Sequence, residues 1–212
     1  MRHTIIFDLD GTLANSALLT IAAFEAVAPK YGLPLPTAEK ITRTIGYANP
    51  EFYFRLFPDS PRETVAAFGA AIEAEETRQL PRFRKTLLFE GCRKMLAQLH
   101  ACGIHLHIAS TGDHNHVYGI LQETGIIGYF DQVRCGHSDK TDMLRELAAH
   151  KDKNGMLMVG DMRKDYEAAR ANGILSVGAC YGYCDKKQTD FDLYAHTPDE
   201  ILGLSLHTLI KK

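Results

Sequence analysis

Two pairs of carboxylates carry the densest chemistry in this chain of 212 residues. The first pair lies in Phe7-Asp8-Leu9-Asp10-Gly11-Thr12-Leu13, the second in Val159-Gly160-Asp161-Met162-Arg163-Lys164-Asp165. Each follows a short apolar run that reads as a buried strand. Gly11 lets the chain turn sharply after Asp10. Asp161 and Asp165 stand four residues apart at the start of a helical pattern, so they can face one site. Taken singly, Asp-Gly is a common turn and Asp165 suits a helix N-terminus. Taken together, two acid pairs at the ends of two strands point to one site, because ligands of open α/β sheets bind beyond the carboxyl ends of the strands. Carboxylates packed there repel one another. A hard cation such as Mg²⁺ relieves that repulsion through oxygen ligation.

Two smaller features fall at equivalent places. Ile108-Ala109-Ser110-Thr111-Gly112 sets two hydroxyls and a glycine after a second strand pattern, where hydroxyls and free N–H groups bind phosphate. Lys140, in Ser138-Asp139-Lys140-Thr141-Asp142, opens a helix after a third. Four carboxylates, Asp8, Asp10, Asp161 and Asp165, against Lys140 leave a charge of −3 at the expected site, and one Mg²⁺ brings it to −1. Binding of an anionic substrate is therefore expected to depend on the metal, on Lys140 and on helix-start N–H groups.

The elements that must position these residues alternate. Short apolar runs at Thr4–Phe7, Ile104–Ala109, Phe130–Cys135, Met156–Val159 and Ile174–Val177 predict parallel strands covered on both faces. Helical spacing falls between them: Cys92, Met95, Leu96 and Leu99 before Gly103; Val117, Ile120 and Leu121 before Gly125; Met143, Leu144 and Leu147; and Ala168, Ala169 and Ala171 before Gly173. The exception is the stretch from Ala14 to about Thr86. Its helical patterns (16–30, 37–44, 51–57 and 62–79) run without a strand, joined by Gly- and Pro-bearing connectors. The predicted fold is α/β: a Rossmann-like parallel sheet with helices on both faces, interrupted by an inserted all-α domain. The core is expected at 1–13 and 87–212 and the insertion at 14–86.

In this order, Asp8-x-Asp10-Gly11-Thr12, Ser110, Lys140 and Gly160-Asp161-x-x-x-Asp165 resemble the four motifs of the haloacid dehalogenase (HAD) superfamily across nearly the whole chain. The helical insertion is similar to the cap of its phosphoglycolate phosphatase-like branch. Glu90-Gly91, Lys140-Thr141-Asp142 and Tyr181-Gly182-Tyr183 are further matches. The resemblance implies Asp8 as nucleophile, forming an aspartyl-phosphate, and Asp10 as general acid and then base. It implies Mg²⁺ held by the Asp8 carboxylate, the Asp10 carbonyl and Asp161, with Asp165 directly or through a neighbour. Ser110, Thr111 and Lys140 would bind the phosphoryl oxygens. It also implies a strand order that puts the first strand between the second and the fourth. Substrate selectivity is expected from Arg43, Gly46 and Tyr47 in the cap. Asp10 favours phosphoryl transfer, since the family's dehalogenases lack it. Lys140-Thr141, Asn15 and Gly112 depart from the usual pattern. His114 and His116, with no carboxylate partner in the sequence, read as loop residues.

The implied activity is a Mg²⁺-dependent phosphatase acting on a small phosphorylated metabolite, with phosphoglycolate, a nucleoside monophosphate, pyrophosphate or a sugar phosphate as candidates. The alternatives are a β-phosphoglucomutase-like phosphotransferase or a nucleotidase or inorganic pyrophosphatase. From a different class, the chain could be a non-enzymatic phospho-receiver or interaction protein. Composition narrows the field. A net charge of −2 with no basic run argues against nucleic acid and membrane surfaces as partners. No uncharged run reaches the roughly 18 residues of a membrane span, and Met1–Phe7 is too short for a signal peptide. Five cysteines without a CxxC pair suit a reducing, cytoplasmic setting. A monomer or a homodimer is expected.

Overall fold

The computed structural model describes residues 3–184 and 190–209, so the outermost residues of the expected core and the stretch 185–189 lie outside it. Among the described residues six strands form one parallel sheet. They are β1 (Thr4–Phe7), β2 (His105–Ser110), β3 (Gln132–Cys135), β4 (Met156–Gly160), β5 (Leu175–Ala179) and β6 (Leu193–Ala195), in the order β3-β2-β1-β4-β5-β6. The first strand thus sits between the second and the fourth, as expected. Phe7 is level with Ile108 on one side and Val159 on the other. The residues that follow these strands therefore emerge side by side at one edge of the sheet.

Alternation along β1 builds two cores. Ile5 and Phe7 face one cluster with Leu106, Ile108, Leu157 and Val159. Helices α5 (Cys92–Ala101), α6 (His114–Glu123) and α9 (Pro198–Leu209) cover this face through Met95, Leu99, Val117, Ile120 and Ile201. Ile6 faces the other cluster with Ala109, Met156 and Met158. Helices α7 (Lys140–Leu147) and α8 (Arg163–Asn172) cover it through Met143, Leu144, Leu147, Ala168 and Ala169. Burial on both faces explains why the strands read as continuous apolar runs.

Between β1 and α5 the chain leaves the sheet through four helices, α1 (Ala17–Tyr31), α2 (Ala38–Thr44), α3 (Glu51–Leu56) and α4 (Arg62–Phe83). They have a core of their own centred on Phe24, whose ring meets Phe68 edge-on at 5.2 Å and Phe52 at 6.2 Å. The two chain crossings into this cap run side by side. Asn15 N–H donates to the Leu87 carbonyl and Phe89 N–H to the Leu13 carbonyl.

Some elements differ from expectation for local reasons. The α4 pattern points to a stop at Gln79, ahead of Pro81. The helix continues to Phe83 because Leu80 and Phe83 pack on the α/β core. Helix α6 starts at His114, three residues ahead of its apolar repeat, because the Asp113 side chain caps it by accepting the His116 N–H. β6 has only three residues, two half-buried and Ala195 buried, too few for a periodic signal. Helix α9 carries its start signal in Thr197-Pro198-Asp199-Glu200, where the Glu200 carboxylate accepts the His196 N–H. No described helix is long and apolar enough to cross a membrane. No disulfide joins the five cysteines.

Because the cap has a separate core, Phe24→Ala should cost it about 3–5 kcal/mol. Amide exchange should accelerate in α1–α4 while β1, β2 and β4 stay protected. Equal acceleration in sheet and cap would contradict two separate cores.

Candidate active site

The turn after β1 places the first pair of acids. Asp8 N–H completes the ladder to the Val159 carbonyl at 2.9 Å, and its Oδ1 accepts the Leu9 N–H at 2.8 Å. Gly11 follows with φ of 76°, a left-handed value that only glycine adopts at low cost. A Cβ there would lie 2.5 Å from Asp161 Oδ2. The absent side chain is what lets the first turn approach the acid at the end of β4. Gly182 is under the same constraint, since its Cβ would stand 1.7 Å from the Gly11 carbonyl oxygen. The Tyr181-Gly182-Tyr183 segment thereby clamps the turn. The Tyr183 hydroxyl donates to Asn15 Oδ1 at 2.7 Å and accepts the Ala17 N–H at 2.9 Å, fixing the start of the cap.

The acids after β4 meet this turn. Asp161 Oδ1 accepts the Thr12 hydroxyl at 3.0 Å, while its buried Oδ2 has no hydrogen-bond partner. Asp8, Asp161 and Asp165 each place a carboxylate oxygen within 4.8 Å of the others. Lys140 enters from α7 and is buried with them, its Nζ 2.6 Å from Asp165 Oδ1 and 2.9 Å from Asp8 Oδ2. The other Asp165 oxygen accepts the N–H groups of Asp161 and Met162, at 3.2 and 2.9 Å. Both Asp165 oxygens are therefore engaged within the protein.

Burial of three acids with one base has the expected electrical result. Desolvation pushes Asp8 up to about 7, although Lys140 opposes it. Burial, together with the charges of Asp8 and Asp165, holds Asp161 well above the ordinary carboxylate range. Burial works against the charge on Lys140, but Asp165 and Asp8 outweigh it and keep the ammonium protonated. An orphaned carboxylate oxygen beside acids driven to hold protons is an oxygen-rich, electron-rich donor set that fits a hard divalent cation.

Asp10 lies apart from this cluster. Its Oδ1 is 2.8 Å from Nε2 of His116, in the first turn of α6. His116 Nδ1 is 3.5 Å from Oε2 of Glu76 on α4. Burial pushes the Asp10 carboxyl up, yet the charge and hydrogen bond of His116 bring it below its ordinary value. Burial opposes the imidazolium, but Asp10 and Glu76 hold it protonated. His116 and Glu76 were not legible as site residues. The partners of His116 are 106 residues away at Asp10 and 40 away at Glu76, and only the capped start of α6 aims the ring at them.

Ser110 ends β2 and accepts the Gly112 N–H at 3.1 Å. The Thr111 hydroxyl donates across the seam to the cap carbonyl of Gly46 at 3.0 Å. Gly46 and Tyr47 line a cavity of about 60 Å³ with Asp10, Thr111 and His116. Arg43 does not line it. Its side chain is 73% exposed and pairs with Glu39.

Comparison with known proteins gives these features a family. The family model of haloacid dehalogenase-like hydrolases matches residues 5–179. The chain belongs to that family. It is a phosphatase-type hydrolase, which sets aside the non-enzymatic alternatives. It is 30% identical to the phosphoglycolate phosphatase of Synechococcus elongatus, over 94% of this chain and 92% of the relative. It is 29% identical to the tyrosine-protein kinase PtkA of Mycobacterium tuberculosis, over 93% of this chain and 70% of that one. The crystal structure of a predicted phosphoglycolate phosphatase from Haemophilus somnus superposes with a TM-score of 0.87 at 22% identity, covering 96% and 98% of the two chains. The last match shows a shared fold, capped sheet included.

The HAD-type acid cluster makes a pH prediction. Asp8 has an ordinary value of 3.8 and a folded value of about 7, so the metal-free folded state takes up protons that the unfolded chain has released. This contribution to stability is present at low pH and declines as the pH rises from about 4 through about 7. Mg²⁺ should remove the penalty where the acids are ionised. Its effect on Tm should be larger near pH 8 than near pH 5, measured by scanning calorimetry with Mg²⁺ against EDTA. An equal shift at both would contradict it.

Proposed function

We propose that the protein hydrolyses a small phosphorylated metabolite through an aspartyl-phosphate on Asp8, with Mg²⁺ as cofactor. The observation that carries this reading is the buried contact of Lys140 with Asp8 beside the unpartnered Asp161 oxygen. Lys140 and the Ser110 hydroxyl hold phosphoryl oxygens against Asp8, which attacks phosphorus and expels the alcohol. The Asp8 and Asp161 carboxylates and the Asp10 carbonyl are the ligands suited to the cation, which when bound would neutralise charge on the phosphoryl oxygens. Asp165 keeps Lys140 and the β4–α8 turn in place. Asp10 and His116 share one proton. Asp10 passes it to the departing oxygen and later accepts one from the water that hydrolyses the aspartyl-phosphate.

The helical insertion at 14–86 acts as a cap over this centre. It excludes bulk water and supplies the surface that the leaving group meets, Gly46 and Tyr47 among it. Thr111 contributes by holding Gly46. Phosphoglycolate is the substrate named for the 30%-identical relative, and a two-carbon ester of that size suits the cavity.

Acetyl phosphate needs little leaving-group recognition and tests the reaction itself. Mg²⁺-dependent release of phosphate is expected. Asp8→Asn should lower kcat at least about 10³-fold, with Tm unchanged or raised because a desolvated charge is removed. Near-normal turnover by a folded Asp8→Asn protein would overturn the mechanism.

A further inference from the structure

Two thiols stand at the feet of the arch that clamps the turn after β1. Cys180 follows β5, Cys184 comes four residues later, and Tyr181-Gly182-Tyr183 lies between them. Their Sγ atoms are 3.7 Å apart, which is contact for two sulfurs. Both residues are half-buried, within reach of a small solute. The other cysteines are placed differently. Cys92 is buried, and burial pushes its thiol up to about 12. The thiolate is the reactive form, so Cys92 is protected. Cys102 follows α5 and Cys135 ends β3.

The arch is firm at one foot and tight at its tip. Cys180 N–H donates to the Ala195 carbonyl of β6 at 2.7 Å. Gly182 has no room to move toward the turn, since even a Cβ there would stand 1.7 Å from the Gly11 carbonyl oxygen. Tyr183, next to the other foot, holds the turn and the start of the cap. Its N–H donates to the Gly11 carbonyl at 3.3 Å, and its hydroxyl donates to Asn15 Oδ1 and accepts the Ala17 N–H. A disulfide brings its two sulfurs to about 2 Å. With Cys180 anchored to β6, that closure moves Cys184 and pulls on Tyr183 beside it.

We propose that Cys180 and Cys184 are a modification site for peroxide, closing a reversible disulfide that loosens the hold of Tyr183 on the cap and slows turnover. One thiol attacks hydrogen peroxide and becomes a sulfenic acid, releasing one water. The second thiol attacks that sulfur, forms the S–S bond and releases a second water. Two electrons thus pass from the two thiols to the peroxide, and an added dithiol returns them by exchange. A resolving thiol already in contact is what favours the disulfide over further oxidation. The effect on rate rests on the phosphatase reading above; the bond and its effect on Tyr183 do not.

The full chain is treated with a small excess of hydrogen peroxide, alkylated and mapped by mass spectrometry. Acetyl phosphate hydrolysis with Mg²⁺ and amide exchange are followed in parallel. The expected result is a Cys180–Cys184 bond, faster exchange over residues 11–18, where the Ala17 N–H loses its acceptor, and a fall in kcat/KM of at least about fivefold, as a small misplacement near reacting groups causes. Dithiothreitol should reverse all three. Cys180→Ser and Cys184→Ser should keep the rate and Tm of the reduced protein and lose the response to peroxide. Absence of the bond overturns the proposal, as does a bond that leaves the exchange over 11–18 or the rate unchanged. Inactivation that persists in Cys184→Ser overturns it as well. If the reduced protein does not hydrolyse acetyl phosphate, the phosphatase reading falls, while mapping and exchange still decide the bond and its effect on Tyr183.

Discussion

One ammonium among buried carboxylates organises this molecule. Lys140 reaches Asp8 and Asp165 in a place almost closed to water, and Asp161 completes the cluster with an oxygen that nothing in the protein satisfies. Desolvation makes such an arrangement costly, and removing the base would leave uncompensated buried charge. The protein keeps it by spending backbone on it. Two N–H groups of the β4–α8 turn hold Asp165, and Gly11 and Gly182 give up their side chains so that two turns can touch. The cluster's remaining excess of negative charge is what a divalent cation and a phosphoryl group together would resolve.

The sheet order makes the cluster possible. Asp8 and Asp161 are 153 residues apart, yet β1 and β4 are neighbours in register, so their carboxyl ends open on the same spot. β2 on the other side of β1 delivers Ser110 and Thr111. Contacts that tie the cap to this edge include Tyr183 to Asn15 and Ala17, Thr111 to Gly46, and His116 to Glu76. Each tie joins a residue that positions the chemistry to one that shapes the cavity. Closing the cap and arranging Asp10 are therefore coupled.

What was legible in the sequence followed from local rules. Thr4–Phe7 and Met156–Val159 read as strands because both faces are buried. Asp8, Asp10, Asp161 and Asp165 read as a site because they follow those strands. Gly103, Gly125 and Gly173 marked helix ends, and all three take positive φ. What was not legible depends on contacts that sequence spacing does not encode. His116 gains its role from an acid 106 residues earlier and another in the cap. Arg43 resembled a cavity residue by its place at the end of α2, but the helix turns its side chain to solvent and to Glu39. Thr111 stood where a phosphate ligand was expected, and its hydroxyl is committed to the cap. Asp113 carried no signal of its own in the sequence. Its placement at the seam, capping α6 beside Glu73, makes it part of the cavity wall.

The central claim is that Asp8 carries the phosphoryl group between substrate and water. The most direct measurement is an acid quench of the protein during turnover of ³²P-labelled acetyl phosphate with Mg²⁺, followed by peptide mapping. The account predicts a hydroxylamine-labile label on the peptide containing Asp8, lost in Asp8→Asn. A label on a histidine or hydroxyl residue would contradict it, and so would steady turnover with no covalent label at any quench time.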